Sequence, residues 1–133
     1  MIFIDTGAFL ARHLGRDQYH QKAVAAWEEL GSNNENCFTS NFVLDETFTL
    51  LARRAGYDFA VQRAKNVYSS QTLSVFRPDK EDELSAIGYF AKYADQQVSF
   101  TDCISFVLMK REKIRRVFSF DRHFEVAGFD RVP

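Results

Sequence analysis

The strongest constraint on this chain is an alternation of short apolar runs with helix-patterned stretches. Ile2–Ile4 is cut off by Asp5-Thr6-Gly7, Cys37–Thr39 by Ser40-Asn41, Leu73–Phe76 by Arg77-Pro78, and Val117–Phe120 by Asp121. Runs this short, rich in β-branched and aromatic residues and closed by polar residues, read as buried strands. Phe129–Val132 reads as a fifth. Between them the apolar residues fall at helical spacing. Helices are expected over Ala8–Leu14, over Tyr19–Leu30 with Ala23, Val24, Trp27 and Leu30 inward, and from a Ser40 or Asn41 cap to about Ala55. Another starts at an Asp58 cap and carries Ala60, Val61, Ala64, Val67 and Tyr68, a further one runs from Pro78 to about Ala94, and the last follows Ser99 or Thr101 with Ile104, Val107, Leu108 and Met109. Gly31 and Gly56 are the expected helix stops, placed where a left-handed residue is wanted. Strands pointing the same way need a crossover, usually a helix, and such crossovers are right-handed. The predicted fold class is therefore α/β: a single-domain α/β/α sandwich over residues 1–133, with a short, mainly parallel central sheet.

Length and composition fit that reading. The chain has 133 residues, with 46% hydrophobic and 26% charged, the balance of a globular domain. No apolar run approaches the roughly 18 residues of a membrane span. The opening Met-Ile-Phe-Ile-Asp has neither the basic nor the long apolar region of a signal peptide, so a cytoplasmic protein is expected. Cys37 and Cys103 sit in no Cys-x-x-Cys or Cys/His spacing and read as small buried residues. His13, His20 and His123 are not at zinc-ligand spacing and read as surface or helix-end residues. Net charge is −1, which by itself selects no nucleic-acid partner. Two clusters stand out: acidic Asp79–Glu83 (DKEDE), and basic Lys110–Arg116 (KREKIRR). The acids follow Pro78, which is tolerated in a first helical turn, and so fall at the positive end of a helix dipole. A solvated helix face explains both clusters.

Four carboxylates are harder to explain structurally. Asp5 and Asp121 each follow a strand, and in an open parallel sheet polar sites gather beyond the carboxyl ends, where strand order reverses. Asp102 lies in the first turn of its helix. Helix capping would account for any one of these. In the helix after the second strand, Phe42, Val43, Leu44, Phe48, Leu50 and Leu51 are apolar nearly all round, so Glu46 or its neighbour Asp45 is partly buried. A buried carboxylate is costly unless paired or bound to metal, and no lysine or arginine is an obvious partner. Mg²⁺, a hard cation held by oxygen ligands, answers that repulsion and can activate water against a phosphodiester. No rival nucleophile motif is present: no Gly-x-Ser-x-Gly, no Cys/His pair and no P-loop. A haloacid-dehalogenase phosphatase needs a second Asp where Gly7 stands, and a receiver domain needs an acidic neighbour that Asp5 lacks.

These residues resemble a PIN domain, a metal-dependent nuclease fold. Ile2–Thr6 (IFIDT) resembles its opening strand and first acid. Thr39–Glu46 (TSNFVLDE) resembles the second-strand-to-helix segment, which ends on the family's glutamate and so selects Glu46 over Asp45. Ser99–Asp102 (SFTD) resembles the third motif, and Phe118–Asp121 (FSFD), followed by Phe124 and Gly128-Phe129, resembles the closing segment with its fourth acid. Each motif is weak alone; the four in order are specific. At this compact length the likeness is to VapC-type toxins of prokaryotic toxin–antitoxin systems.

The resemblance implies a Mg²⁺- or Mn²⁺-dependent ribonuclease whose metal and catalytic residues are Asp5, Glu46, Asp102 and Asp121. It implies an RNA substrate, a homodimer and a small antitoxin partner that blocks the acidic cleft. A housekeeping RNA-processing nuclease without antitoxin, and a silent PIN module binding RNA or protein, are the alternatives. Thr6 and Thr101 are candidates to hydrogen-bond the ligating carboxylates or their water, and Asn41 to line the cleft. Arg12, Arg16 and Arg122, which follow strand ends closely, are the candidate RNA contacts ahead of KREKIRR.

Overall fold

In a computed structural model describing residues 1–133, strands β1 (Ile2–Ile4), β2 (Cys37–Ser40), β3 (Leu73–Phe76), β4 (Arg116–Phe118) and β5 (Asp130–Val132) form one sheet. Its order is β3-β2-β1-β4-β5, and every neighbouring pair is parallel. Seven helices connect the strands: α1 (Thr6–His13), α2 (His20–Ser32), α3 (Asn41–Ala55), α4 (Tyr57–Ser69), α5 (Lys80–Lys92), α6 (Phe100–Arg111) and α7 (His123–Val126). From β1 through β2 to β3 the chain moves one way across the sheet, so right-handed crossovers put α1 to α4 on one face. The chain then returns past β1 to β4 and β5, which puts α5, α6 and α7 on the other. Strand order reverses between β1 and β4, the position where ligand sites of such sheets lie. No helix is long and apolar enough to cross a membrane.

β1 is central because it is wholly apolar. Ile2, Phe3 and Ile4 are all 0% exposed, which suits a strand covered on both faces. Against it, α6 buries an unbroken run from Asp102 to Met109. Phe106 lies at the centre of that layer, with ring centroids of Tyr89, Phe124 and Phe129 at 5.8, 5.2 and 5.8 Å. On the opposite face Trp27 packs between Phe9 and Phe118, and its indole N–H donates to the Ala8 carbonyl at 3.2 Å. Both cysteines are free and buried.

Several boundaries differ from the sequence expectation, each for a local reason. Gly31 lies inside α2, which continues to Ser32; the left-handed residue is Asn34, with φ 50°. Pro78 precedes the helix instead of opening it. Asp79 is the true cap of α5: its side chain accepts from the Asp82 amide while Asp82 accepts from the Asp79 amide, a reciprocal capping box. Gly56, not Asp58, occupies the cap position of α4, and Asp58 sits in the first turn. β4 ends at Phe118, so Ser119 and Phe120 leave the strand. α6, not α3, is the helix buried nearly all round; on α3 only Val43, Leu44, Thr47 and Leu51 are fully buried. The two charge clusters meet each other: Arg111 pairs with Asp82 and with Glu112, while Arg116 reaches Glu35 at 2.9 Å.

Gly56 both ends α3 and begins α4, at φ 93° and ψ 159°. Only glycine occupies that region without strain. No atom lies within 4 Å of an added Cβ, so Gly56→Ala isolates the backbone cost. It should destabilise by about 1–3 kcal/mol, seen as a lower urea midpoint at unchanged slope. An unchanged midpoint would contradict the assigned conformation.

Candidate metal centre

The site is built where β1 and β4 run out side by side. Ile4 pairs with Phe118, so Asp5 and Ser119 emerge together. The Asp5 amide donates to the Phe118 carbonyl at 3.1 Å. The Ser119 hydroxyl, 0% exposed, donates to Asp5 Oδ2 at 2.8 Å, and its oxygen accepts from the Asp121 amide at 3.0 Å. One hydroxyl thus ties the first acid to the backbone of the fourth. Asp5 holds the cap position of α1, yet its side chain makes no cap hydrogen bond; capping does not explain it.

α6 and α3 supply the other two acids. Ser99 caps α6, its hydroxyl accepting from the Asp102 amide at 3.0 Å. The Asp102 carboxylate, three residues on, is thereby free to face the cleft rather than serve as the cap. On α3, Asp45 is exposed while Glu46 is half-buried. Asp5, Thr6, Glu46, Asp102, Asp121 and His123 line one cleft of about 420 Å³, with Tyr19 and Phe120 on its wall. Those two rings stack with centroids 4.5 Å apart.

Burial and mutual repulsion dominate the electrostatics. Burial, then Asp102, pushes the Asp5 carboxyl up to about 8, although the Ser119 hydroxyl and the Thr6 amide pull it back. Burial, then Asp121 and Glu46, raises Asp102 to about 7. No lysine or arginine comes within 4.0 Å of any of the four acids. The one basic group present is His123. Its Nδ1 lies 3.1 Å from Asp121 Oδ1 and 3.5 Å from Asp102 Oδ2.

Other sequence candidates fall elsewhere. Thr6 lines the cleft and its buried hydroxyl has no partner. Asn41 and Thr101 do not line it; Asn41 Oδ1 is buried without a partner, and the Thr101 carbonyl accepts from Ser105. None of the three arginines lines it either. Arg12 is on the wrong side of α1: Thr6, Gly7 and Leu10 line the cleft, whereas Phe9 and Arg12, turned away from them by the 3.6-residue period, line a separate groove, which His13 joins about two turns along the helix from Thr6. Arg16 and Arg122 are exposed. Sequence reasoning missed His123, which enters the site through the short α7, and the tie made by Ser119. A serine between a strand and an acid was the available signal for the latter.

The PIN domain family profile matches residues 2–130. The chain belongs to the PIN-domain family. It is 34% identical over 132 residues to the 23S rRNA-specific endonuclease VapC20 of Mycobacterium tuberculosis, covering 99% of this chain and 98% of that protein. The VapC ribonuclease of Archaeoglobus fulgidus is 29% identical over 130 residues, 96% of this chain and 81% of the relative. The crystal structure of VapC20, described as a sarcin–ricin loop cleaving toxin, superposes with a TM-score of 0.85 at 32% identity, over 97% of this chain and 96% of that one. FitAcB from Neisseria gonorrhoeae shares the fold, with a TM-score of 0.69 at 15% identity, over 100% of this chain and 97% of that one.

The residues of this PIN domain fit a divalent cation. Ligand atoms of Asp102, Asp121 and His123 all lie within 4.8 Å of one another, and the Asp5 and Glu46 carboxylates line the same cleft. Hard ions such as Mg²⁺ and Mn²⁺ prefer such donors. The sign of the pH dependence follows from the raised carboxyls. Each starts from 3.8, so the folded state holds protons that the unfolded chain has released. That stabilisation is complete below the ordinary carboxylate range and is lost as pH rises through the folded values. In EDTA the stability, followed as melting temperature, should therefore fall between about pH 5 and pH 8, by up to about 1.4 kcal/mol per pH unit for each proton held. Excess Mg²⁺ at pH 8 should restore it. A flat metal-free profile would mean that the acids do not crowd one another.

Proposed function

We propose that this protein is a ribonuclease hydrolysing RNA phosphodiester bonds with Mg²⁺ or Mn²⁺ held by Asp5, Glu46, Asp102 and Asp121, and that it is the toxin of a toxin–antitoxin pair. The single observation that carries the reading is that Asp5, Glu46, Asp102 and Asp121, with Asp17 as a fifth acid, line one cleft that has no lysine or arginine in its wall. The relatives' names, an rRNA-specific endonuclease and a VapC ribonuclease, point to the same chemistry. Membership of toxin–antitoxin systems comes with VapC, and a cytoplasmic homodimer with a small antitoxin partner completes the proposal. An apolar stripe on α5, where Leu84, Ile87 and Phe90 are each about half exposed, is available for such protein contacts.

The protein's part in the reaction is to hold and orient. When bound, the cation supplies Lewis acidity, neutralising charge on the phosphodiester and activating water for in-line attack. Ser119 fixes the Asp5 carboxylate against rotation through its 2.8 Å hydrogen bond. Asp121 is set by its own backbone turn, its Oδ1 accepting from the His123 amide at 2.9 Å. Glu46 reaches in from α3, on the opposite face of the sheet from α6, so the two helical acids clamp the site from both layers. The cleft offers no cysteine or lysine, and Ser99 is engaged as a helix cap. Water is the nucleophile on this reading, and no covalent intermediate is invoked.

Asp102→Asn tests the assignment. Because the Ser99 hydroxyl caps α6, the change should leave the helix intact, and it removes one of the crowded charges. The metal-free variant should be equally or more stable, with an unchanged circular dichroism spectrum. Wild-type protein should gain about 2.7 kcal/mol from a metal concentration a hundredfold above Kd, and the variant much less. Cleavage of 23S rRNA by the wild type should stop on EDTA addition, and in the variant should fall by orders of magnitude. A variant with the wild-type metal-induced melting shift and cleavage rate would remove Asp102 from the site.

Ser119→Ala tests the positioning. Losing the hydroxyl leaves Asp5 without the hydrogen bond that favours its charged form, so metal affinity should drop about 10- to 100-fold, the usual weight of a group orienting a ligand. Isothermal titration with Mn²⁺ would measure it. Affinity equal to wild type would show that the tie is dispensable.

A further inference from the structure

A second groove, of about 500 Å³, opens on the α1–α4 face of the sheet, lined from α1, α2 and α4. Thr6, at the other end of α1, belongs to the acidic cleft, and roughly 10 Å of helix separates it from His13. The groove gathers Arg12, His13 and Arg63. Arg12 lies over the Trp27 ring and Arg63 over the Phe59 ring, each with the guanidinium carbon 4.7 Å from the ring centroid. Neither arginine has a carboxylate within 4.0 Å, and Arg63 Nε is buried without a hydrogen-bond partner. Glu35, the one acid on the groove wall, is already engaged by the amino terminus and by Arg116, both at 2.9 Å.

This is an expensive arrangement for a surface to maintain without a ligand. The two guanidiniums repel. Burial, then Arg63, lowers the affinity of Arg12 for its proton, and burial, then Arg12 and Arg63, depresses His13 to about 4. A solvated pair would swing apart; the aromatic rings hold these two in place. We propose that the groove lined by Arg12, His13 and Arg63 is an anion site that takes a backbone phosphate of RNA away from the metal centre. The identity of the anion as RNA phosphate rests on the ribonuclease reading. One feature of the molecule favours it over a protein carboxylate. The catalytic cleft is lined by no lysine or arginine, so attraction for a polyanion has to come from elsewhere on the surface.

The test is binding in EDTA, where cleavage is silent. The probes are a fluorescein-labelled 12-nucleotide oligouridylate, followed by anisotropy across a salt series, and inorganic phosphate, followed by NMR of the His13 ring and the Arg63 Nε–H. Phosphate should shift both signals and move the His13 titration upward from about 4, since it would partly offset the Arg12 and Arg63 charges facing the ring. Arg12→Gln and Arg63→Gln should each weaken oligonucleotide binding about tenfold, the weight of one charge-assisted hydrogen bond. The log–log salt slope should flatten by about 0.7 for one phosphate that the variant no longer neutralises. Arg63→Lys, which keeps the charge, should recover part of the affinity. Arg12 is at the surface, so its variant remains a fair test even if the Arg63 variants fail to fold. Arginine variants that bind with wild-type affinity and slope would overturn the proposal. So would displacement of phosphate by poly-glutamate together with no oligonucleotide binding, which would make the groove a dock for an acidic protein segment. If 23S rRNA is not cut in Mg²⁺ while arginine-dependent binding persists, the ribonuclease reading fails and the anion site stands.

Discussion

The structure depends on the pairing of β1 with β4. Those strands come from opposite ends of the chain, and their register sets Ile4 beside Phe118. Asp5 and Ser119 then leave the sheet together, and Asp121 follows two residues later. Everything else in the site is placed relative to that seam: α6 delivers Asp102 from one layer and α3 delivers Glu46 from the other. The pairing is secured by apolar burial, since all three residues of β1 and both Val117 and Phe118 of β4 are 0% exposed. A one-residue slip would turn those side chains to the opposite face and separate Asp5 from Ser119. The site's precision is therefore a by-product of core packing.

The same seam makes the cost of the site visible. Asp5 is almost fully buried and Asp102 nearly so. Burying ionised carboxylates is costly without a partner, and the fold supplies hydrogen bonds in place of cations: the Ser119 hydroxyl to Asp5 and the His123 amide to Asp121. These reduce the repulsion without cancelling it, since Asp5 and Asp102 still sit well above the ordinary carboxylate range. On the proposed reading the metal-free protein holds part of its folding energy in reserve, and a bound divalent cation would release it. Coupling of this kind makes metal affinity and folded-state stability two readings of one quantity.

The fold class is legible in the sequence because strand and helix periods are written locally. The apolar runs, Gly56, and the acids following strands are all short-range signals. What is not legible is equally physical. Gly31 reads as the end of α2, but a helix that packs its Trp27 and Leu30 faces continues past a tolerated glycine, and the stop falls on Asn34. Asp102 and Thr101 compete with Ser99 as the cap of α6; only three-dimensional placement shows that Ser99 serves, leaving the carboxylate free. His123 lies on a four-residue helix, too short to produce a periodic pattern.

The placement of the arginines is the least legible part. Nearness in sequence to a strand end suggests that Arg12, Arg16 and Arg122 border the acids. Distance along a helix is not direction around it. On α1 the residues at 6, 7 and 10 line the cleft, while those at 9 and 12 turn to the other groove and 13 reaches it about two turns along from 6. One eight-residue helix thereby separates two environments of opposite sign, with the acidic cleft at its first turn and the arginine groove at its last. Basic residues suit the carboxyl end of a helix and anionic ligands its amino end, so α1 on its own terms would place anions near Thr6. The carboxylates that surround Thr6 cancel that preference unless a cation is present. The polarity of α1 and the crowding of the acids thus make the same demand: under the proposed function an RNA phosphate would lie at the first turn only with metal in the cleft, whereas the proposed arginine site would hold one without it.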